Sequence, residues 1–474
     1  MITQNTTLID ISQEKTLRYD VDYIKFHQNH TNSYLSFDDL FSITPTKNFS
    51  EEIFNEDFYY CEIGNSDKNG DIKPVLLNFE NRTLENENYY KKIEKGDITS
   101  VDLDDILISK VRPNLKKYVR ITQDKRNVYF TTAFIRLKAK EMPNILYYCL
   151  RNIFYEDLMA IARQGKGYPT INEKDLHSLR FNETSINKLR SNFTKISKVI
   201  NKVENMVSSK VDSLIPIQKT IDSVFQREFG FDYDKFDELK SNRLYISQKS
   251  LFSNNPDLRF SAKFHRPAGD FVMEQLKKIS DKKIKHFISE PIILGASISP
   301  KDYDDTGKYN YISMATIKTC KFDEQSALAV SDNYSADKIA KSVQKNDILI
   351  ARSGEGTIGK VAIIKNEDTR GIFADFIMRI RFDSKRYNPI FAYYYMRSCY
   401  FQYLIEVYKK GLGNNTNIFP IVIQEFPIPD ISLSEQKRIV DEIQTEIKKQ
   451  DDIKLEIASL RNKIDDIIIQ TVSA

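Results

Sequence analysis

Asp105-Ile-Leu-Ile-Ser-Lys110 returns as Asp347-Ile-Leu-Ile-Ala-Arg352, at an offset of 242 (347 less 105). Each is a short β-branched run opened by an acid and closed by a base, the pattern of a buried strand. Outward from this pair the repetition keeps its order. Upstream, Leu17-Arg18-Tyr19 with Tyr23 matches Leu258-Arg259-Phe260 with Phe264, at 241. Downstream, Phe134-Ile-Arg136 and Phe376-Ile-Met-Arg379 start at 242, while Pro143 and Tyr147 match Pro389 and Tyr393 at 246. Gly165-Lys-Gly167 matches Gly411-Leu-Gly413 at that same 246, and Thr170-Ile171 and Leu179 match Asn417-Ile418 and Phe426 at 247. An offset that drifts by six residues (247 less 241) without a change of order marks a duplication.

Each half closes on a helical stretch. Ile196, Ile200, Val203, Val207, Leu214, Ile217, Ile221 and Val224 form a heptad seam interrupted by Lys210. Ile439, Ile443, Ile453, Ile457, Leu460, Ile464 and Ile467 continue the same phase, with Glu446 and Gln450 as polar breaks. Six pairs, from 196/439 to 224/467, share the offset 243, so these residues are expected to form a helix-pair interface. Pro216 removes a hydrogen bond and predicts a bend or break in the first helix. Ser432-Leu-Ser-Glu435 predicts a capping box at the start of the second. Ahead of each helix, strand patterns such as VYFTTAFIRL and KVAIIK alternate with helical ones such as NILYYCLRNIFYEDLMAIAR and PIFAYYYMRSCYFQYLIEVYKK. The predicted fold is α+β, with globular domains over 1–183 and 258–430 in tandem repeat. Long spacer helices follow over 184–229 and 431–474, with a polar connector at 230–257. The two helices are expected to pack as an antiparallel coiled-coil pair with pseudo-two-fold symmetry.

A chain of 474 residues has room for two or three cored domains. Cys61, Cys149, Cys320 and Cys399 are scattered with no C-x-x-C pair, which argues against a disulfide framework or zinc ribbon and fits a reducing compartment. The start MITQNTTLIDIS has neither a basic n-region nor an apolar h-region, and no run approaches a membrane span; a cytoplasmic protein is expected. The net charge is only +4, yet 70 Lys and Arg among 66 Asp and Glu permit local basic faces. The 26 Tyr and 29 Phe suit aromatic cores, and also surfaces that contact bases.

Several catalytic patterns are present only in outline. Ser353-Gly-Glu-Gly-Thr-Ile-Gly-Lys360 satisfies most of a phosphate-loop pattern, but Val361-Ala-Ile-Ile364 follows where a hydroxyl residue and a helix are needed. A glycine-rich loop between strands is the expected reading, with a nucleotide-binding enzyme using Gly354 to Lys360 as the alternative. Pro429-Asp430 with Glu435-Gln-Lys437 imitates a nuclease signature, but Glu435 and Lys437 fall in the first turn of a helix. The histidines at 27, 30, 177, 265 and 286 show no metal spacing, so no metal site is expected. No nucleophile elbow occurs, and no Asp/Asn-Pro-Pro-aromatic segment for gripping a target amine.

These features together resemble the specificity (S) subunit of type I restriction–modification systems, the HsdS family. The resemblance is carried by the duplicated Leu-Arg-aromatic start and the strand and loop from Asp347 to Val361. It is carried also by the aromatic helix ending in a glycine loop, and by Ile-Pro-Asp-Ile-Ser-Leu-Ser-Glu-Gln436 opening a spacer helix. It covers nearly the whole chain. The first half departs at Lys110-Val-Arg-Pro113, where the second has its glycine-rich loop, and at Arg180-Phe-Asn-Glu-Thr-Ser185 before the first spacer. The resemblance implies a non-catalytic chain with two target-recognition domains, partnered by two adenine-N6 methyltransferase (M) subunits and by restriction (R) subunits. S-adenosylmethionine, ATP and magnesium would belong to those partners, and no cofactor to this chain. A subunit serving a fused methyltransferase–nuclease, or a methylation-only system, is the narrower alternative; a protein-recruiting scaffold is another.

Helices of roughly 40 residues span on the order of 60 Å and can act as a ruler between two parts of a split duplex target. The expected DNA-binding residues are basic, amide and aromatic side chains at the repeated loops. In the first half these are Lys110, Arg112, Lys116, Lys117, Arg163, Lys166 and Tyr168. In the second they are Arg352, Ser353, Lys360, Lys409, Lys410, Asn414 and Asn415. Arg reads guanine and Asn adenine in the major groove, whereas Lys mostly neutralises phosphate.

Overall fold

A computed structural model describes residues 33–45, 56–82, 86–164, 167–242, 259, 261, 263–318, 321–354, 356–411 and 415–473. The Leu-Arg-aromatic repeat lies outside them except for Arg259. The chain divides into two units, 1–213 with 454–474, and 214–453.

In the first unit a four-stranded antiparallel sheet is built from β1 (Phe41–Ile43), β4 (Asp105–Ser109), β5 (Tyr118–Arg120) and β7 (Phe134–Ala139), in the order β1-β7-β4-β5. A three-stranded sheet joins β2 (Phe58–Cys61), β3 (Val75–Leu77) and β6 (Val128–Phe130). Here β2 is antiparallel to β3 and parallel to β6. Ile106-Leu-Ile108 is apolar throughout because β4 is covered on both faces. Ile106 and Ile108 pack toward α1 (Pro143–Arg151) and α2 (Tyr155–Ile161), and Leu107 packs with Val119, Val128 and Phe130. The short strands β8 (Arg163–Gln164) and β9 (Pro169–Thr170) form a ribbon after α2. Helix α3 (Phe193–Asp212) then closes the unit.

The second unit repeats both sheets strand for strand. It opens with α4 (Ile217–Phe229) and α5 (Tyr233–Ser241). A four-stranded sheet follows from β10 (Ile293–Leu294), β13 (Ile348–Ala351), β14 (Val361–Ile363) and β16 (Ile377–Ile380), in the order β10-β16-β13-β14. A three-stranded sheet is made by β11 (Tyr309–Ile312), β12 (Leu328–Val330) and β15 (Gly371–Phe373), with β11 antiparallel to β12 and parallel to β15. Ile348 and Ile350 face α6 (Pro389–Arg397) and α7 (Cys399–Tyr408), and Leu349 faces the second sheet. The match of order, direction and facing residues makes the duplication one of structure as well as sequence.

The connector is not all loop. Phe231 and Phe236 are buried against Tyr400 and Tyr403, and their burial is what pins α5 to the unit. Pro216 produces a full break: α3 ends at Asp212 and α4 starts at Ile217, because proline offers no donor and fits at a helix entrance. Leu214 therefore lies in the break and not on a helix.

The last helix, α8 (Leu433–Ser473), lends 433–453 to the second unit and 454–473 to the first. Within the first unit Ile196, Ile200 and Val203 of α3 are buried in one core with Ile464 and Ile468, and Val207, Leu460 and Ile467 pack partly buried against it. Ile457 is buried and Lys210 pairs with Glu456, while Lys188 Nζ donates to the Val472 carbonyl at 2.9 Å, so α3 and this part of α8 run antiparallel. Within the second unit Ile221, Val224 and Phe225 share a core with Ile439, Val440 and Ile443, with Ile217 packed against it and Ile453 half-buried. Arg227 meets Glu442 at 2.6 Å and the Ile215 amide donates to Gln450 Oε1 at 2.8 Å, again antiparallel. The capping box forms as expected: the Ser432 amide donates to Glu435 at 3.1 Å and the Glu435 amide to Ser432 Oγ at 3.3 Å.

Candidate nucleic-acid interface

In each unit the repeated loops come together. The turn between β4 and β5 docks on the ribbon after α2: Val111 bridges Thr170, the Arg112 amide donates to the Pro169 carbonyl and the Ile171 amide to the Lys110 carbonyl, both at 2.9 Å. In the second unit Ser353 bridges Asn417, the Gly354 amide donates to the Thr416 carbonyl at 3.1 Å and the Ile418 amide to the Arg352 carbonyl at 2.9 Å. Lys410 and Asn417 exchange two backbone hydrogen bonds of 2.7 Å, closing the counterpart of the β8–β9 ribbon. These bridges set the ribbon at an offset of 247 (417 less 170), one more than the glycine match at 246 suggests.

The side chains expected to read DNA divide into two groups. Some hold the loops. Arg163 forks onto the buried Asp175 with three hydrogen bonds of 2.8 to 3.0 Å. Lys117 Nζ donates to the Ile63 carbonyl, and Lys110 pairs with Glu173 at 3.3 Å. Arg352 Nε donates to the Asp375 carbonyl at 2.9 Å and its Nη1 to Asn417 Oδ1 at 3.3 Å. The Lys409 side chain, only 9% exposed, meets Glu406 at 2.6 Å, and the Ser353 carbonyl accepts from Thr357. Others face solvent. Arg112 is exposed with its guanidinium 5.0 Å above the ring of Tyr168, itself 42% exposed. Lys116 Nζ lies 3.9 Å from the centre of the half-buried Tyr155 ring, Lys410 and Asn415 are exposed, and Lys360 is half-buried. Lys166 and Asn414 lie outside the described residues. Tyr155 and Asn417 were missed at sequence level; the aromatic in Asn152-Ile-Phe-Tyr155 was the available signal for the first.

The second-unit turn holds no phosphate-loop geometry, because 352–360 joins two antiparallel strands and Val361–Ile363 is paired with β13. Among the described residues no group of His, Cys, Asp and Glu is placed to hold a metal ion, and no helix is long and apolar enough to cross a membrane.

The two units are thus copies of one sheet-and-helix scaffold, each presenting a docked pair of loops with its own cations. Residues 281–459 match the model of the type I restriction modification DNA specificity domain, and the first unit repeats the topology of that segment. No curated protein matches the chain. Three solved structures are similar to it over 93% of its length. One is a chain from work on complex assembly and conformational transition of the type I R-M system (14% identity, 97% of that chain, TM-score 0.44). The others are the HsdS subunit from Thermoanaerobacter tengcongensis (15%, 96%, 0.32) and the type I restriction–modification S subunit from M. genitalium (13%, 96%, 0.41). Over residues 281–459 the chain therefore carries a type I restriction modification DNA specificity domain.

Proposed function

We propose that the chain reads a bipartite, asymmetric duplex target, one part with the docked loop pair of each unit. The observation that carries this is one scaffold, repeated in register, on which the same two loops bear different side chains. A shared scaffold fixes how each loop pair is presented, and unlike side chains give unlike half-sites. The helix α8, 41 residues and so roughly 60 Å long, would fix the unread gap between them. In this reading two adenine-N6 methyltransferase subunits and the restriction subunits dock on the chain in the cytoplasm. They bring S-adenosylmethionine, ATP and magnesium, and the methyltransferase flips the target adenine.

The test combines the purified chain with its methyltransferase subunits, methyl donor and genomic DNA, and maps the methylated adenines. Two specific segments separated by a constant gap are expected. Methylation by the chain alone, or methylation without sequence preference, would overturn the reading.

A further inference from the structure

Two positions in the β4–β5 turn carry side chains that the turn itself does not require. Counted from the bridges of Val111 and Ser353, Arg112 stands where the second unit has Gly354. Counted back from the strand pairs Ile108 with Tyr118 and Ile350 with Val361, Lys116 stands where it has Gly359. Gly354 and Gly359 both have φ +85°, and Arg112 and Lys116 both have φ +52°. This left-handed region suits glycine, tolerates Asn and Asp, and disfavours long side chains. A turn under no other demand would keep glycine at both places.

Each cation also has a dedicated support. Tyr168 lies beneath Arg112, and Tyr155 beneath Lys116, with the Tyr155 hydroxyl donating to the Asn114 carbonyl at 3.3 Å. At the ribbon offset the second unit has Asn415 in place of Tyr168, and at the helix offset it has the fully buried Phe401 in place of Tyr155. Among the described residues no ion pair engages Arg112 or Lys116, unlike Lys110 and Arg163 beside them.

We propose that Arg112 and Lys116 are the side-chain readers of the first unit's half-site: Arg112 recognises the two acceptors of a guanine in the major groove, and Lys116 neutralises a neighbouring phosphate. Tyr168 and Tyr155 are positioning residues that hold the two cations before DNA arrives, so less side-chain freedom is lost on binding. The second unit, with glycine at both places, reads its half-site by other side chains. The inference rests on the loop pairs facing DNA.

The test uses the full chain in complex with its methyltransferase subunits, comparing Arg112→Gly, Arg112→Lys and Lys116→Gly by melting temperature, duplex affinity and base preference at each half-site. Arg112→Gly relieves the backbone, so the melting temperature is expected to hold or rise while affinity falls about 5- to 150-fold and preference for one G·C pair disappears in one half-site only. Arg112→Lys should lose the same preference with unchanged melting, since an ammonium cannot fork onto two acceptors. Lys116→Gly should weaken all sequences alike and reduce the salt slope by about 1. A lowered melting temperature with base preference intact in both Arg112 variants would overturn the proposal and give the residue a structural role. A wild-type complex that shows no sequence preference would overturn the underlying reading of the loops instead.

Discussion

Asp105 and Asp347 occupy the same place in the two units, fully buried at the entrance to the strand that repeats most clearly, and the units neutralise them from different positions. In the first, Arg136, opposite Leu107 in the sheet, reaches Asp105 and also Asp102. In the second, the arginine at that register position, Arg379 opposite Leu349, turns instead to Glu290 at 2.5 Å and to the Ser342 carbonyl. Arg381, two residues on, makes bonds of 2.7 and 2.8 Å to Asp347. The first unit has an exposed lysine, Lys138, at the place of Arg381. A buried carboxylate demands a cation. Strand periodicity offers two sites on one face for it, so the partner can move by two residues while the fold stays the same.

The largest predicted effect sharpens this contrast. Arg136→Met leaves Asp105 buried without its cation and should cost about 3–5 kcal/mol. Arg379→Met, at the same register, leaves Asp347 with Arg381 and should cost only about 1–2 kcal/mol. Denaturant unfolding with hydrogen exchange on each unit separates the two, and equal costs would break the assignment of partners.

Next in size is the glycine turn. An added Cβ at Gly354 would lie 2.6 Å from Thr357 Oγ1, and φ is +85° there, so Gly354→Ala should cost about 1–2 kcal/mol. The change bears on the second unit alone. An unaltered unfolding midpoint would mean that the turn relaxes, and that the left-handed backbone shared with Arg112 is not a demand of the fold.

The parts of this molecule that were legible in sequence are those fixed by local periodicity. Apolar runs give β4 and β13 because both faces of each are covered, and three-and-four spacing gives the helix seams. The seam reading fails where local rules collide: Leu214 fits the heptad but Pro216 starts a new helix behind it. It also drifts, since Ile468 is fully buried and Ile467 only partly, as expected when 3.6 residues per turn are read with a period of 3.5. At the loops, composition identified the right segments but not the right residues. Arg163, Lys409 and Arg352 look like Arg112 in a sequence, yet each is held by a partner in the same unit that only the fold brings into reach. The equivalence of Lys116 with Gly359 was hidden because the second turn is one residue longer, which moves this pair from the strand's offset of 242 to 243.

A smaller effect separates the two spacer entrances. The helix Glu183–Ser191 that precedes α3 is capped in one direction, by Asn182 Oδ1 accepting the Ser185 amide at 2.9 Å, whereas Ser432 and Glu435 cap α8 reciprocally. Ser432→Ala should cost about 1 kcal/mol, and Asn182→Ala about the same. Adding Glu435→Ala to Ser432→Ala should bring little more, because each member depends on the other; an additive double variant would show that the box is not cooperative.

The smallest expected effect concerns pH and the helix pair of the second unit. The hydrogen bond from Arg438 holds the Glu228 carboxyl below its ordinary value of 4.5 against the opposing effect of partial burial, and Arg227 adds to it. A carboxylate whose folded value is depressed contributes stability in full above 4.5, and that contribution is lost as pH falls through the lower folded value. Because the pair is solvent-screened, the loss should be under about 1 kcal/mol. Glu228→Gln should therefore lower the unfolding midpoint slightly near neutral pH and converge with the wild type in acid. The expected window for that convergence lies below 4.5, where both chains present an uncharged side chain to Arg438. A difference that persists unchanged into acid would assign the effect to packing of α4 on α8 and not to charge.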